Sequence, residues 1–368
     1  MGEQAVWQKP IREGCYLVGH RNPDTLLQCN TYLRTFVNGS GPVHWCIDPG
    51  SQIDYPHVRD HLLAHVGDLR ALRLFSVNHQ DPDVVGNLTY LTEANDRLVG
   101  LATQDVWRLV RHLVVKPRNL YFADQAHNGV VRLPTGQQIR AVPTPFCHFR
   151  GAMAFYDPES RILFSGDLFG GLNAPGRVGR DGDLTDWIGI AQFHQIYMPA
   201  RTALAYAVAQ IRALRPAVEV IAPQHGFVLT GEVMHTFLDR LEQLPVGLDL
   251  LPLGADDRSH ASYRDLIARF VEAVARHLSR SEILGRLRAL PEQHELRQHL
   301  TAQAMDVELT GRGDRALPLV VAELTADLPP LTRGALKSWV LDECSRLGLP
   351  LPQIGIGVEE IGSPEPLS

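Results

Sequence analysis

The chain has 368 residues, enough for one large domain and a smaller one. Its 45% hydrophobic and 21% charged content is that of an ordinary globular protein, and a formal net charge of -6 excludes the basic footprint of a nucleic-acid binder. No apolar stretch is long enough to span a bilayer. Met1 to Glu13 lacks the apolar core of a signal peptide, so the expected location is the cytoplasm. The five cysteines, Cys15, Cys29, Cys46, Cys147 and Cys344, form no CxxC pair, which argues against a thiolate zinc site or a disulfide framework.

Three short strands are predicted at Cys15 to Val18, Thr31 to Val37 and Val43 to Ile47, with turn signals Asn22-Pro23-Asp24 and Asn38-Gly39-Ser40-Gly41 between them. Asp48 ends the third, either as a turn residue or to orient a ligand from behind. A helix at His57 to Val66 leads to an apolar run, Leu72 to Val77, that reads as a buried strand. Helices are expected from Val84 towards Arg97 and at Gln104 to Leu113. His127-Asn128-Gly129 is a hairpin turn signal. Strands at Ala152 to Tyr156 and Arg161 to Phe164 flank the turn Asp157-Pro158-Glu159-Ser160. A glycine-rich exposed loop, Gly171 to Asp183, precedes a helix at Met198 to Leu214 and a strand at Val218 to Ala222. After Gly231 strand signals nearly vanish. Ile267, Phe270, Val271, Val274 and Leu278 recur at helical spacing, and helices are expected at Glu292 to Met305, Leu317 to Ala326 and Arg333 to Leu347. Leu251-Pro252-Leu253-Gly254 marks a boundary, giving domains 1–252 and 253–368, and the tail from Ile361 reads as loose.

Four strand ends carry a His or Asp: the loop with His79, Asp81 and Asp83, then His148, Asp167 and His225. In layered α/β folds, groups at strand ends converge on one rim of the sheet. Three imidazoles and three carboxylates there would make a two-metal site with Asp167 bridging, because unneutralised carboxylates so packed would repel. Singly, His148 reads as well as a core histidine, Asp167 as a turn cap and His225 as a helix start. Their joint recurrence at strand ends favours the site.

In order and local context these residues resemble the metallo-β-lactamase superfamily, through His79-Gln80-Asp81-Pro82-Asp83, His148, Ser165-Gly166-Asp167 and Gln224-His225-Gly226. Cys29-Asn30-Thr31-Tyr32-Leu33 and Ile47-Asp48-Pro49-Gly50 are similar to its opening strands. The resemblance covers roughly the first two thirds of the chain. It implies an αββα sandwich, followed here by a smaller helical C-terminal region. The zinc hydrolases of the superfamily carry HxHxDH. A carboxylate at position 81 resembles instead the di-iron branch, with its HxExD, and Phe193-His194-Gln195-Ile196-Tyr197-Met198-Pro199 is similar to a stretch preceding a long helix there.

That branch implies His79, Asp81 and His148 on one iron, Asp83 and His225 on the other, and Asp167 bridging. Imidazole and oxygen donors without thiolate suit iron or manganese at least as well as zinc. Asp81 is one methylene shorter than the usual Glu. Val84 stands where many members have His, which would leave a coordination position open. Tyr197 and His194 are candidates to donate a hydrogen bond to a bound ligand, or else core residues before a helix.

No phosphate-cradling flavodoxin loop follows Leu253, so no flavin is expected within the chain. The expected function is a non-haem di-iron protein that binds dioxygen or another diatomic, as a sensor acting on a signalling partner. The alternatives are an O2 or NO reductase fed by a separate electron-donor protein, and a dinuclear hydrolase of esters, thioesters or phosphodiesters. A homodimer follows from likeness alone.

Overall fold

The computed structural model describes residues 5–23, 25–39, 41–113, 119–174, 176–250, 257–302, 307–352 and 354. The boundary at Leu251 to Gly254 and the tail from Ile361 lie outside them. The chain divides into two compact units, Met1–Gly247 and Leu248–Ser368.

The first unit is a two-sheet sandwich with a helical layer on each outer face. The first sheet holds β1 (Cys15–Leu17), β2 (Tyr32–Asn38), β3 (Gly41–Ile47), β4 (Leu72–Ser76), β5 (Val99–Ala102) and β6 (Asn119–Phe122), in that spatial order. Helices α1 (Tyr55–Val66), α2 (Pro82–Val85), α3 (Leu88–Ala94) and α4 (Gln104–Val110) connect its parallel strands. The second sheet holds β7 (Val130–Arg132), β8 (Gln138–Pro143), β9 (Met153–Asp157), β10 (Ile162–Gly166), β11 (Val220–Pro223) and β12 (Leu229–Thr230). Its helices are α5 (Trp187–Tyr197), α6 (Arg201–Ala213) and α7 (Gly231–Gln243).

Alternation along the strands supplies a separate core for each layer. Trp45, Phe36, Tyr32, Leu74, Phe155, Phe164 and Ala222 pack between the sheets. Trp45 meets Phe164 edge-on at 5.4 Å, and its buried indole N–H donates to Ser76 Oγ at 2.9 Å. Leu33, Cys46, Val58, Leu62, Phe75 and Leu88 fill the space under α1 to α4. Tyr156, Leu163, Phe193, Leu204, Ile211 and Phe237 fill that under α5 to α7.

Four expectations are corrected here. The helix from Val84 to Arg97 is two helices, α2 and α3, broken at Gly86 and Asn87, where Asn87 Nδ2 donates to Pro49 O and its N–H to Gly50 O. His127 to Gly129 closes no hairpin: it is a short 3-10 turn between β6 of one sheet and β7 of the other. The helix at Met198 to Leu214 starts at Arg201, because Pro199 cannot continue α5. The glycine-rich loop is not exposed throughout, since Gly171 and Asn173 are buried.

The second unit contains α8 (Asp257–Val274), α9 (Arg280–Ala289), the hairpin β13 (Leu300–Ala302) with β14 (Val307–Leu309), α10 (Gly313–Thr325) and α11 (Pro330–Leu347). Leu266, Phe270, Val274, Ile283, Leu287, Val320, Leu324 and Val340 make its own core. Of the expected helix at Glu292 to Met305, residues 303–305 lie outside the described residues, and the described part holds a 3-10 turn, Glu295–Gln298, running into β13. In β14, Val307 and Leu309 are buried and Glu308 is exposed, a period-two pattern that suits a strand.

Candidate metal centre

Parallel pairing of β10 with β11, and antiparallel pairing of β8 and β10 to β9, send the C-terminal ends of β8, β10 and β11 to one edge. The loop after β4 is sewn to that edge by Asn78. Its Nδ2 donates to Phe164 O at 3.0 Å, and its carbonyl accepts from Met153 N at 3.0 Å. Asp48, at the end of β3, accepts from the Asn78 N–H at 2.9 Å. Burial pushes the Asp48 carboxyl up to about 8, against the opposing effect of that hydrogen bond.

His79 leaves this loop, Asp81 precedes α2 and Asp83 lies in its first turn. His148 comes from the loop after β8, Asp167 follows β10 and His225 follows β11. All six residues meet. His148 Nε2 lies 3.0 Å from Asp81 Oδ2 and 3.2 Å from Asp167 Oδ2. His79 Nε2 lies 3.8 Å and 3.4 Å from the same two oxygens. On the other side, His225 Nε2 lies 3.2 Å from Asp83 Oδ2 and 3.5 Å from Asp167 Oδ1. Asp167 therefore turns one oxygen to each group. Its Oδ1 is buried and accepts no hydrogen bond.

The cluster is electrostatically polarised. Hydrogen bonds to Asp167 and then Asp81 lift His148 to about 10, against the cost of burial. Burial opposes a proton on His225, yet its contacts with Asp83 and Cys29 raise it well above its ordinary value. Burial alone would raise Asp167, but the charges around it, His79 first, hold it well below the carboxylate range. Protons here do the neutralising that cations would do better, since metal ligands must give up theirs.

The donors fit two metal ions. His79, Asp81 and His148 offer ligand atoms within 4.8 Å of one another, as do Cys29, Asp83 and His225. The orphaned Asp167 oxygen stands beside the second group. His225 Nδ1 donates to Gln28 O at 2.8 Å, which leaves the Nε2 lone pair directed at the cluster. Gln80 Nε2 donates to Asp81 Oδ1 at 2.9 Å, leaving Oδ2 to face inward.

Two expectations need revision. Both ring nitrogens of His194 are committed, Nδ1 to Ile190 O at 2.7 Å and Nε2 to the Phe169 N–H at 3.1 Å. Burial lowers its pKa to about 4, so it has no proton to offer a ligand and instead props the turn after Asp167. Tyr197 stands on the rim, its ring 6.0 Å from that of His148. Val84 is fully buried among Phe75, Val85 and Leu88, so the residue at that position belongs to the helix-layer core. The candidate donors are not free of sulfur either, because Cys29 Sγ lies within 4.8 Å of the ligand atoms of Asp83 and His225. Sequence spacing hid it: Cys29 is 54 positions from Asp83 and has no neighbouring ligand. The one available signal was its place at the start of the strand-like Cys29 to Leu33 stretch.

Stacked sheets between helical layers, with a His and Asp cluster at one edge, define the metallo-β-lactamase class of fold. Within it, residues 27–226 match the family described as ODP family beta lactamase, more than half of the chain, and the chain belongs to that family. It is similar to a structure of the peroxy diiron species of the chemotaxis sensor ODP, at 24% identity over 64% of this chain and 97% of that one, with a TM-score of 0.51. It is similar also to the flavodiiron core of Flv1 from Synechocystis sp. PCC6803, at 18% identity over 75% and 73% of the two chains, TM-score 0.56. Among curated proteins, a putative diflavin flavoprotein A 2 of Synechocystis sp. is 26% identical over 109 residues, which is 30% of this chain and 18% of that protein. The match thus spans less than a fifth of the curated relative's length.

Proposed function

We propose that residues 1–252 hold a di-iron centre that binds dioxygen, and that the helical region 253–368 passes its state to a signalling partner. One observation carries the metal assignment. Asp167 divides its two oxygens between two separate groups of donors, and the oxygen facing His225 accepts no hydrogen bond. In this reading His79, Asp81 and His148 hold one iron, Asp83 and His225 the other, and Asp167 bridges. Membership of the ODP family supports iron and dioxygen over zinc and hydrolysis.

Bound iron would supply the redox electrons and coordination positions that dioxygen requires. The chain's own groups set the conditions. Gln28 O fixes the His225 tautomer, and the Asn78 N–H with Asp48 holds the His79 loop. Phe193 packs its ring 5.1 Å from that of His225 and 4.7 Å from that of Tyr197, an apolar wall that keeps water from one side. The Tyr197 ring, 6.0 Å from that of His148, supports a role for its hydroxyl as hydrogen-bond donor to a ligand there. A homodimer and a cytoplasmic setting complete the proposal. Among the described residues no helix is long and apolar enough to cross a membrane.

The test is elemental analysis of anaerobically purified protein, with visible spectra before and after air. Two irons per chain and a band that reverses when oxygen is removed are expected. An irreversible band with steady turnover of a supplied reductant would mark a reductase. Two zincs and a featureless spectrum would overturn the reading.

A further inference from the structure

The two halves of the cluster are unequal. His79, Asp81, His148 and Asp167 Oδ2 make four donors on one side. Asp83, His225 and Asp167 Oδ1 make three on the other. The next residue in the chain cannot supply the fourth, because Val84 is apolar and packed in the helix-layer core. Cys29 Sγ, however, lies 3.9 Å from Asp83 Oδ2, within the 4.8 Å spread it shares with Asp83 and His225.

We propose that Cys29 is the fourth protein donor of the second metal position, binding as a thiolate whose proton passes to solvent as the metal–sulfur bond forms. The inference rests on the di-metal reading above. Metal–sulfur bonds of about 2.3 Å and metal–nitrogen bonds of about 2.1 Å fit between donors so spaced.

The placement of Cys29 is built into the fold. Its neighbours are stitched to the His225 segment on both sides. His225 Nδ1 donates to Gln28 O at 2.8 Å, Asn30 N donates to Gln224 O at 2.6 Å, and Asn30 Nδ2 donates to Pro223 O at 2.9 Å. Thiol and imidazole are thus held by one set of hydrogen bonds. The unpartnered Asp167 Oδ1, on a residue only 3% exposed, stands beside them, 3.5 Å from His225 Nε2.

The other thiols do not compete. Cys147 adjoins His148 in sequence, but its Sγ faces Ala203 O at 3.7 Å. Cys15, Cys46 and Cys344 lie in the apolar cores. The consequence is chemical inequivalence: one position is lined by imidazole and carboxylate alone, and the other adds a soft donor that favours zinc or iron over manganese.

Cobalt(II) titration under anaerobic conditions tests this, because a thiolate ligand adds a near-ultraviolet sulfur-to-cobalt charge-transfer band. The full-length protein should take two equivalents, and the band should grow with the second-position metal. Cys29→Ser and Cys29→Ala should lose the band, keep one tightly bound cobalt, and weaken the other by at least about tenfold. Cys147→Ala should retain the band. Two bound cobalt ions without the band in the native protein would overturn the thiolate assignment and leave the di-metal reading standing. No bound cobalt at all would overturn both.

Discussion

Asp157 closes β9 and Asp167 follows β10, and the antiparallel pairing of those strands sends the two carboxylates to opposite edges of one sheet. Both are buried. Asp157 is saturated: Arg34 Nε donates to one oxygen at 2.7 Å, Ser160 Oγ donates to the same oxygen, and the Glu159 N–H donates to the other at 2.9 Å. Arg34 in turn spends further donors on Glu13 O and Thr35 O. Asp167 faces three imidazoles at 3.2–3.5 Å, and its Oδ1 accepts no hydrogen bond. A closed ion pair ties β2 to β9 across the sandwich. The open cluster holds donors that the polypeptide itself does not satisfy. An edge built for stability uses up its hydrogen-bonding capacity, and an edge built for a ligand withholds it.

Removing each carboxylate separates these roles. Asp167→Ala should abolish binding of both metals at concentrations that load the native protein, because one residue serves both positions. Elemental analysis that still found two metals per chain would disprove the bridge. Asp157→Ala should leave metal stoichiometry intact but cost about 3–5 kcal/mol, since it removes the one buried carboxylate from Arg34 and leaves it two carbonyls and the exposed Glu159. Urea denaturation measures this. A loss under about 1 kcal/mol would mean that water reaches the pair.

The His and Asp cluster proposed to hold metal was legible in the sequence for the same reason that it is open. Its candidate donors come from four strand ends, three of them from the loop after β4, and strand ends announce themselves as apolar runs stopped by polar residues. His79, Asp81, Asp83, His148, Asp167 and His225 were all reachable by that rule. Cys29 was not, because a cysteine 54 residues from Asp83 gains its meaning only when the first strands fold against the His225 segment. His194 fails for a related reason. Residue type suggests chemistry, but only packing decides which way a side chain faces. In the second unit, the expected helix at Glu292 to Met305 misled because Leu300 to Ala302, which form β13, are too few residues to distinguish period 3.6 from period 2.

Asp48 gives the comparison a pH dependence. Its folded pKa of about 8 lies above the ordinary 3.8 because it is buried. Below about 3.8 both folded and unfolded chains hold the proton. Between 3.8 and 8 the unfolded chain loses it first, so metal-free stability should fall as pH rises through that window. The slope is at most about 1.4 kcal/mol per pH unit. Asp48→Asn should remove this contribution while preserving an oxygen for the Asn78 N–H. Identical pH profiles for variant and native apoprotein would refute the assignment.

The smallest expected effect concerns the backbone that delivers Asp167. Gly166 has φ +62°, in the left-handed region, and a Cβ there would fall 2.7 Å from Asn78 Cβ. Asn78 in turn holds the loop that presents His79. Gly166→Ala should therefore cost about 1–2 kcal/mol from the backbone conformation. It should also weaken metal binding by displacing Asn78. A saturated edge would absorb such a shift as lost stability alone. At the open edge the same displacement moves two donors relative to each other, so affinity should suffer more than the melting temperature does. If stability drops while metal affinity holds, the cluster tolerates movement and its geometry is less constrained than the packing around Asn78 indicates.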